Sequence, residues 1–400
     1  MKIGILREGK NPPDKRVPFT PEQCKFLQET GRVEIVVQPS AGRAFTEKEY
    51  QEAGICVSEN ISDCDVLMGV KEVNVDDLIR DKQYLFFSHV IKKQPHNRKL
   101  MQAMVKKNIT LIDYECLRNS EGERVVGFGR YAGIVGAYNA ILGWGLRNNS
   151  FKIKRAYECF DYAELKQELK KVALPPVKII LTGTGRVGQG ALEIMKELKI
   201  KKAGTEEFIN EVFNEPVYCI INFDEYYKNK SGKPFDKEEF RVNPGEFETD
   251  FLRFAKVADL FISCHYWDNS SPRLFSEEDM KKQDFSIKLI ADITCDIKGS
   301  VPSTIRPSTI ADPFYGYDPQ SESETEAFSH KAITVMAVDN LPCELPRDAS
   351  AFFGNELITK VMPLFWGEYP QHILERGTIL KHGKLTPPFR YLEDYASLDE

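Results

Sequence analysis

Short apolar runs alternate with helical patterns from the first residue of the chain. Residues 2–6 read as a strand. Thr20-Pro21-Glu22-Gln23 reads as a helix start, with Thr as N-cap, Pro at the first helical position and Gln at the third. Residues 33–37 read as a second strand, and 46–53 as a second helix that Gly54 ends. Further strands follow at 66–70, 84–89 and 109–114. Strands spaced by helical patterns predict βαβ units and a largely parallel sheet.

Residues 131–147 are rich in Ala, Gly, Ile and Leu and flanked by Arg130 and Arg147. They predict a long buried helix joining two domains. After Pro175-Pro176 a fresh strand starts at 177–181, and strands resume at Leu260–Ser263, 289–293 and 333–338. The polar, aromatic stretch from 210 to 250 reads as an insertion in the second domain. No internal repeat breaks the pattern. The last 25 residues are Pro- and charge-rich and are expected on the surface.

A length of 400 residues suits two domains of ordinary size. The net charge of -6, with both signs spread along the chain, gives no reason to expect a nucleic-acid partner. No apolar run approaches the roughly 18 residues that cross a bilayer, and the apolar N-terminus is too short for a signal peptide. The expectation is a cytoplasmic protein with no membrane partner. Nine cysteines, an odd number without a Cys-x-x-Cys pair, and no His cluster at metal spacing point to idle thiols in a reducing compartment and to no metal. Cys264 and His265, adjacent on a strand, point to opposite faces, which argues against a thiol nucleophile there. Oligomeric state is not legible.

One turn carries specific chemistry. The apolar strand 177–181 runs into Gly183-Thr184-Gly185-Arg186-Val187-Gly188, and a helix follows with apolar residues at Val187, Ala191, Ile194, Met195 and Leu198. Strand, glycine turn and helix in that order form the dinucleotide-binding fingerprint. Gly183 permits the tight turn, Gly185 the approach of a pyrophosphate, and Gly188 close packing of helix on strand. The helix N-terminus supplies N–H groups and a positive dipole end to the phosphates. No Gly-Lys-Ser/Thr follows, which excludes a P-loop. An acid about 20 residues on would bind a ribose hydroxyl and favour NAD over NADP. Glu206 and Glu207 have that spacing but follow a poor strand, whereas Asp224 follows the better strand Val217–Ile221. The expected cofactor is NAD, with NADP not excluded.

The first half gathers polar groups at predicted strand ends: Lys71 and Glu72 after 66–70, His89 after Phe86-Phe87-Ser88, then Lys92 and Gln94. Arg16 ends the first βα loop, and Arg124 lies in Glu123-Arg124-Val125-Val126. Ligands of open α/β sheets bind at the carboxyl ends of strands. Each such residue taken singly is as readily a solvated charge. Taken together, a lysine desolvated beside other cations and a histidine make an acid/base pair, and arginines clamp carboxylates.

The motifs GVKE ending at Glu72, FFSHVIK ending at Lys92, LIDYE ending at Glu115, RVVGFGRYAG from Arg124 to Gly133, and VDNLPCELPRDAS from Val338 to Ser350 resemble the saccharopine dehydrogenase (lysine-forming) and lysine–ketoglutarate reductase family, which is related to alanine dehydrogenase. The resemblance runs in order along nearly the whole chain. It implies an α/β fold of two Rossmann-like domains with parallel sheets flanking a cleft. The first domain is discontinuous, 1–130 plus 339–400, and the second, 131–338, binds the dinucleotide. It implies reversible, cofactor-linked cleavage of saccharopine to lysine and 2-oxoglutarate. By the match of motifs, Lys71 and His89 look like the acid/base pair. Arg16, Lys92, Gln94, Arg124 and Phe128 look like substrate contacts, joined by Thr294, Cys295 and Asp296 from the second domain. Arg186 and Val187 of the glycine turn look like cofactor contacts, as do Tyr266, Ile293, Val338, Asp339, Asn340 and Leu341.

The insertion and His265-Tyr266-Trp267 look closer to the reductase half of bifunctional lysine-degrading enzymes, which use NADPH; Phe223-Asp224 departs from that pattern and favours NAD. A chain of 400 residues is expected to lack the second half of such an enzyme. The implied chemistry fits the residues. Hydride loss beside a secondary amine gives an imine, and two titratable groups serve deprotonation and water addition. Three carboxylates on the substrate match several cations. A small amino-acid dehydrogenase of the alanine type would leave Lys92 and Arg124 surplus. A non-catalytic NAD-binding protein would not need the Lys71–His89 pair.

Overall fold

The computed structural model describes residues 1–9, 14–368 and 372–397. Its secondary structure follows the apolar periodicity, and the chain divides into two units, Met1–Phe128 with Pro346–Glu400, and Gly129–Leu345. Strands are numbered along the chain.

In the first unit β1 (Lys2–Ile5), β2 (Glu34–Val37), β3 (Cys56–Val57), β4 (Val66–Met68), β5 (Gln83–Phe86) and β6 (Thr110–Asp113) are parallel and lie in the order β3-β2-β1-β4-β5-β6. The order reverses beside β1, which places the ends of β1 and β4 at a topological switch point. Local chemistry sets the helices as read. Thr20 caps the helix Pro21–Glu29, its hydroxyl accepting from the Gln23 N–H while the Gln23 side chain accepts from the Thr20 N–H. Thr46 and Glu49 repeat the device at the helix Glu47–Glu52, and Gly54, at a φ of +80°, closes it.

The last 25 residues depart from the expected surface placement. Strand β17 (Thr378–Lys381) pairs antiparallel with β6 and carries β18 (Lys384–Leu385) at its edge. Ile379, Leu380 and Leu392 are fully buried. Two adjacent apolar side chains among charges suffice for a strand that joins an existing sheet. The helix Pro346–Lys360 returns to the first helix: Ser350 Oγ accepts from the Val17 N–H at 2.9 Å, and Gln23 donates to the Ala351 carbonyl at 2.7 Å.

In the second unit the parallel strands are β7 (Lys178–Thr182), β8 (Lys201–Lys202), β9 (Val217–Ile221), β12 (Leu260–Ser263), β13 (Leu289–Asp292) and β16 (Ile333–Met336), in the order β8-β9-β7-β12-β13-β16. Antiparallel β14 (Phe314–Asp318) and β15 (Ser323–Thr325) extend the β16 edge. Within the insertion, β10 (Tyr227–Asn229) and β11 (Phe247–Thr249) form a separate antiparallel pair, over which Phe235, Phe240 and Phe247 pack with Tyr227. The apolar helix predicted at 131–147 spans Gly129–Asn148 and is buried along most of its length. It crosses the helix Arg186–Glu197 at backbone contact distance. A Cβ on Gly133 would lie 1.9 Å from the Val187 carbonyl, and one on Gly190 1.9 Å from the Arg130 carbonyl. Among the described residues no helix is long and apolar enough to cross a membrane.

Glu344 tests the interior of this unit. It is buried, its Oε1 accepts from Asn139 at 2.9 Å, and burial raises its carboxyl from 4.5 to about 7. Between those values the folded chain keeps a proton that the unfolded chain has released, so this group makes stability fall as pH rises. Glu344→Gln removes the effect. The stability of the variant minus that of wild type, from denaturant melts, should grow by about 3 kcal/mol between about pH 5 and about pH 8. A pH-independent difference would contradict the assignment.

Candidate active site

Lys71 and His89 stand just past the carboxyl ends of the neighbouring strands β4 and β5. His89 Nδ1 lies 2.5 Å from Oε1 of Glu72, the residue after Lys71, and both side chains are about four-fifths buried. A carboxylate on Nδ1 fixes the ring orientation and, in the neutral ring, holds the proton on Nδ1 and leaves Nε2 as the exchanging nitrogen. His89 sits at a φ of +54°, a left-handed conformation costing on the order of 1 kcal/mol. The turn that imposes it is anchored from below. The buried Asp113 accepts from the Ser88 N–H at 2.9 Å and the Ser88 hydroxyl on one oxygen, and from the Glu115 N–H at 2.7 Å on the other. Burial raises the Asp113 carboxyl, against the pull of these bonds.

Aromatic rings tie the cluster together. Phe87 stacks on His89 at 6.5 Å and touches Phe128, Tyr114 and Phe353. The Arg16 guanidinium lies 4.2 Å over the Phe128 ring. Arg16, Phe128 and His89 are thus joined through Phe87, and Lys71 through Glu72. Arg16 is not a solvated strand-end charge: it is buried and bidentate to the buried Asp14, at 2.9 and 2.6 Å. Arg124 is half exposed and paired with Glu115. Lys92 is exposed, and the Gln94 carbonyl accepts from the Tyr395 hydroxyl at 2.5 Å. Sequence reasoning gave no role to Glu8, Asp14, Glu72 or Asp113. The rule that singled out Lys71 and His89, polar groups beyond strand ends, also reaches Glu8 after β1, Glu72 after β4 and Asp113 closing β6.

In the second unit the three glycines answer to three constraints. Gly183 has a φ of +85°, and a Cβ there would meet the His265 backbone at 2.7 Å. A Cβ on Gly188 would lie 2.0 Å from the Gly183 carbonyl. Gly185, capping the helix, has nothing within 4 Å of that position, the open face a pyrophosphate needs. Behind the turn, the buried His265 bonds Thr182 at 2.7 Å and Ser300 at 2.9 Å, and burial pushes its pKa down to about 3, so it is neutral. Cys264 is buried and its thiol is pushed up, which fits an inert residue.

The strand beside β7 is β9, so exposed Asp224 stands just past the end of the neighbouring strand. Glu206 and Glu207 follow the edge strand β8, and pair with Arg253 and Lys201. Thr294, Cys295 and Asp296 follow β13. A pocket of about 360 Å³ brings Tyr266 together with Thr294 and Asp296. The Cys295 thiol donates to the Ala337 carbonyl, and burial pushes it up to about 12. Ile293 and Leu341 pack on Gly136 of the long helix. Val338, Asp339 and Asn340 follow β16, with Arg186 and Val187 opening the glycine-turn helix. The described residues contain no group of three or more His, Cys, Asp or Glu side chains placed to hold a metal.

The chain shares its fold, two mostly parallel sheets of which one carries this glycine turn, with alanine dehydrogenase. A solved structure named L-alanine dehydrogenase covers 99% of this chain and 100% of its own, with a TM-score of 0.65 and 17% identity. Residues 4–135 match the family described as alanine dehydrogenase/PNT, N-terminal domain. Nearer in sequence, the chain is 30% identical to the alpha-aminoadipic semialdehyde synthase of Arabidopsis thaliana, over 98% of this chain and 41% of that protein. It is 24% identical to the saccharopine dehydrogenase (NAD(+), L-lysine-forming) of Emericella nidulans, over 90% of this chain and 91% of that one. The chain is a homologue of proteins bearing these two names, as its motifs indicated, and it spans less than half the length of the synthases.

The glycines separate binding from folding. Gly185→Ala should leave the melting temperature within about 2 °C of wild type yet weaken nucleotide binding by about tenfold or more, while Gly188→Ala, a forced overlap, should cost about 1–3 kcal/mol of stability. Thermal melts and a nucleotide titration measure both. Equal behaviour of the two variants would refute the division of roles.

Proposed function

We propose that the chain is an NAD(P)-dependent oxidoreductase acting on the secondary amine of saccharopine and reversibly giving L-lysine and 2-oxoglutarate through an imine. The observation that carries the reading is the Glu72–His89 pair beside Lys71 at the ends of β4 and β5. Lys71 and His89 serve as the acid/base pair: one takes the amine proton, and the two manage water addition and C–N cleavage. Glu72 holds the His89 ring so that Nε2 exchanges the proton. Arg16, Lys92, Gln94, Arg124 and Phe128 contact the substrate, joined by Thr294, Cys295 and Asp296. The homologues' names support this, as do the guanidinium and ammonium groups of Arg16, Arg124, Lys71 and Lys92, which can answer three substrate carboxylates.

Gly183, Gly185, Arg186, Val187 and Gly188 would hold the nucleotide, with Tyr266, Ile293, Val338, Asp339, Asn340 and Leu341 around it; when bound it supplies or accepts the hydride. Asp224 favours NAD, because a carboxylate hydrogen-bonds a ribose hydroxyl and repels a 2′-phosphate.

The test follows the near-ultraviolet absorbance of NADH or NADPH with L-lysine and 2-oxoglutarate, and with pyruvate and ammonia as control. Oxidation should need both lysine and 2-oxoglutarate and should favour NADH; Asp224→Ser should narrow that preference. Lys71→Met and His89→Gln should each lower turnover by about a hundredfold. Near-normal turnover in both variants would remove the acid/base assignment. Activity with pyruvate and ammonia alone would replace the reading with an alanine-dehydrogenase type.

A further inference from the structure

We propose that Glu8 is a positioning residue for Lys71, its carboxylate gripping the two peptide N–H groups through which the chain leaves β4. The inference rests on the role given to Lys71 above. Strand β1 pairs with β4 until the Leu6 N–H reaches the Met68 carbonyl, and then turns away. The next N–H groups of β4, on Val70 and Lys71, would be left at an open sheet edge. Glu8 meets both, Oε1 with Val70 at 2.6 Å and Oε2 with Lys71 at 2.9 Å. On the other side the β5 strand continues the ladder, Gly69 donating to Leu85 and Phe87 to Val70. The segment that carries Lys71 is therefore fixed from both flanks, one of them by a side chain.

A carboxylate accepts from two donors at once. Protonation turns one oxygen into a hydroxyl, a poorer acceptor than a carboxylate oxygen, so the ionised form holds both donors more firmly. The groups facing Glu8 are Asp14 and Arg16 from the following loop, the buried Arg43 from the loop after β2, Tyr114 at the end of β6, and Lys71 itself. Burial raises the Glu8 carboxyl to about 7 and Asp14 adds to the rise, while the Val70 and Lys71 N–H bonds and the Arg16 charge oppose it. The grip therefore changes state close to neutral pH.

Glu8→Gln places an amide N–H₂ where an acceptor is needed and imitates the protonated acid at every pH. Turnover, nucleotide KM and melting temperature are measured for wild type, Glu8→Gln and Lys71→Met across pH. Nucleotide KM should be unchanged. The wild-type to Glu8→Gln ratio of kcat should rise from near one below about pH 6 to about tenfold or more above about pH 8. A ratio that does not vary with pH, or stays at one, overturns the inference. If Glu8→Gln does not fold, Glu8→Asp, which keeps both oxygens one methylene back, should lower kcat and retain the wild-type pH dependence; wild-type kcat in that variant overturns the inference. An inactive Lys71→Met beside a wild-type-like Glu8→Gln sinks this inference alone. An active Lys71→Met sinks the role given to Lys71 beneath it.

Discussion

Where a parallel strand stops pairing, its next N–H groups face the open edge of the sheet and need acceptors. In this protein buried or partly buried carboxylates meet that need at one strand end after another. Glu8 serves Val70 and Lys71, Asp113 serves Ser88 and Glu115, and Asp292 serves the N–H and hydroxyl of Thr294. Burial raises all three carboxyls, and the donors that converge on each oppose that rise. The residues held this way include Lys71, the Ser88–His89 turn and Thr294, which are the positions where the chemistry is proposed.

The two sheets put this edge to different uses. In the first, charge is met by charge: Arg16 by Asp14, Arg124 by Glu115, His89 by Glu72. The rings of Phe87 and Phe128 bridge His89 and Arg16. Such a surface suits a substrate that is itself multiply charged, because each pair presents a directed group without a net field. In the second, the backbone of the glycine turn is open at Gly185. Glycines replace side chains at the turn, and the histidine behind it is held uncharged between two hydroxyls. A helix N-terminus facing an open backbone suits phosphate oxygens.

Much of this was legible along the chain because it is local. The capping boxes at Thr20 and Thr46, the glycine turn and the apolar strands each need only neighbours in sequence. Strand order did not follow from such signals. It is the pairing of β9 with β7 that puts the strand before Asp224, rather than the one before Glu206 and Glu207, next to the strand that leads into the glycine turn. Nor did ion pairing follow: Asp14 lies two residues from Arg16, but only the turn geometry joins them in a buried bidentate pair. The closing strand Thr378–Lys381 was hidden by its charged surroundings, since β6 supplies the partner that its own two apolar residues do not reveal.

The most direct measurement is the mass of the product formed from L-lysine, 2-oxoglutarate and a reduced nucleotide carrying deuterium at the transferable position. The account predicts a condensation product of the two substrates, reduced by one hydride equivalent and bearing one deuterium on the carbon that was the 2-oxo carbon. Deuterium found in a primary amino acid, or no labelled product with these two substrates, would contradict it.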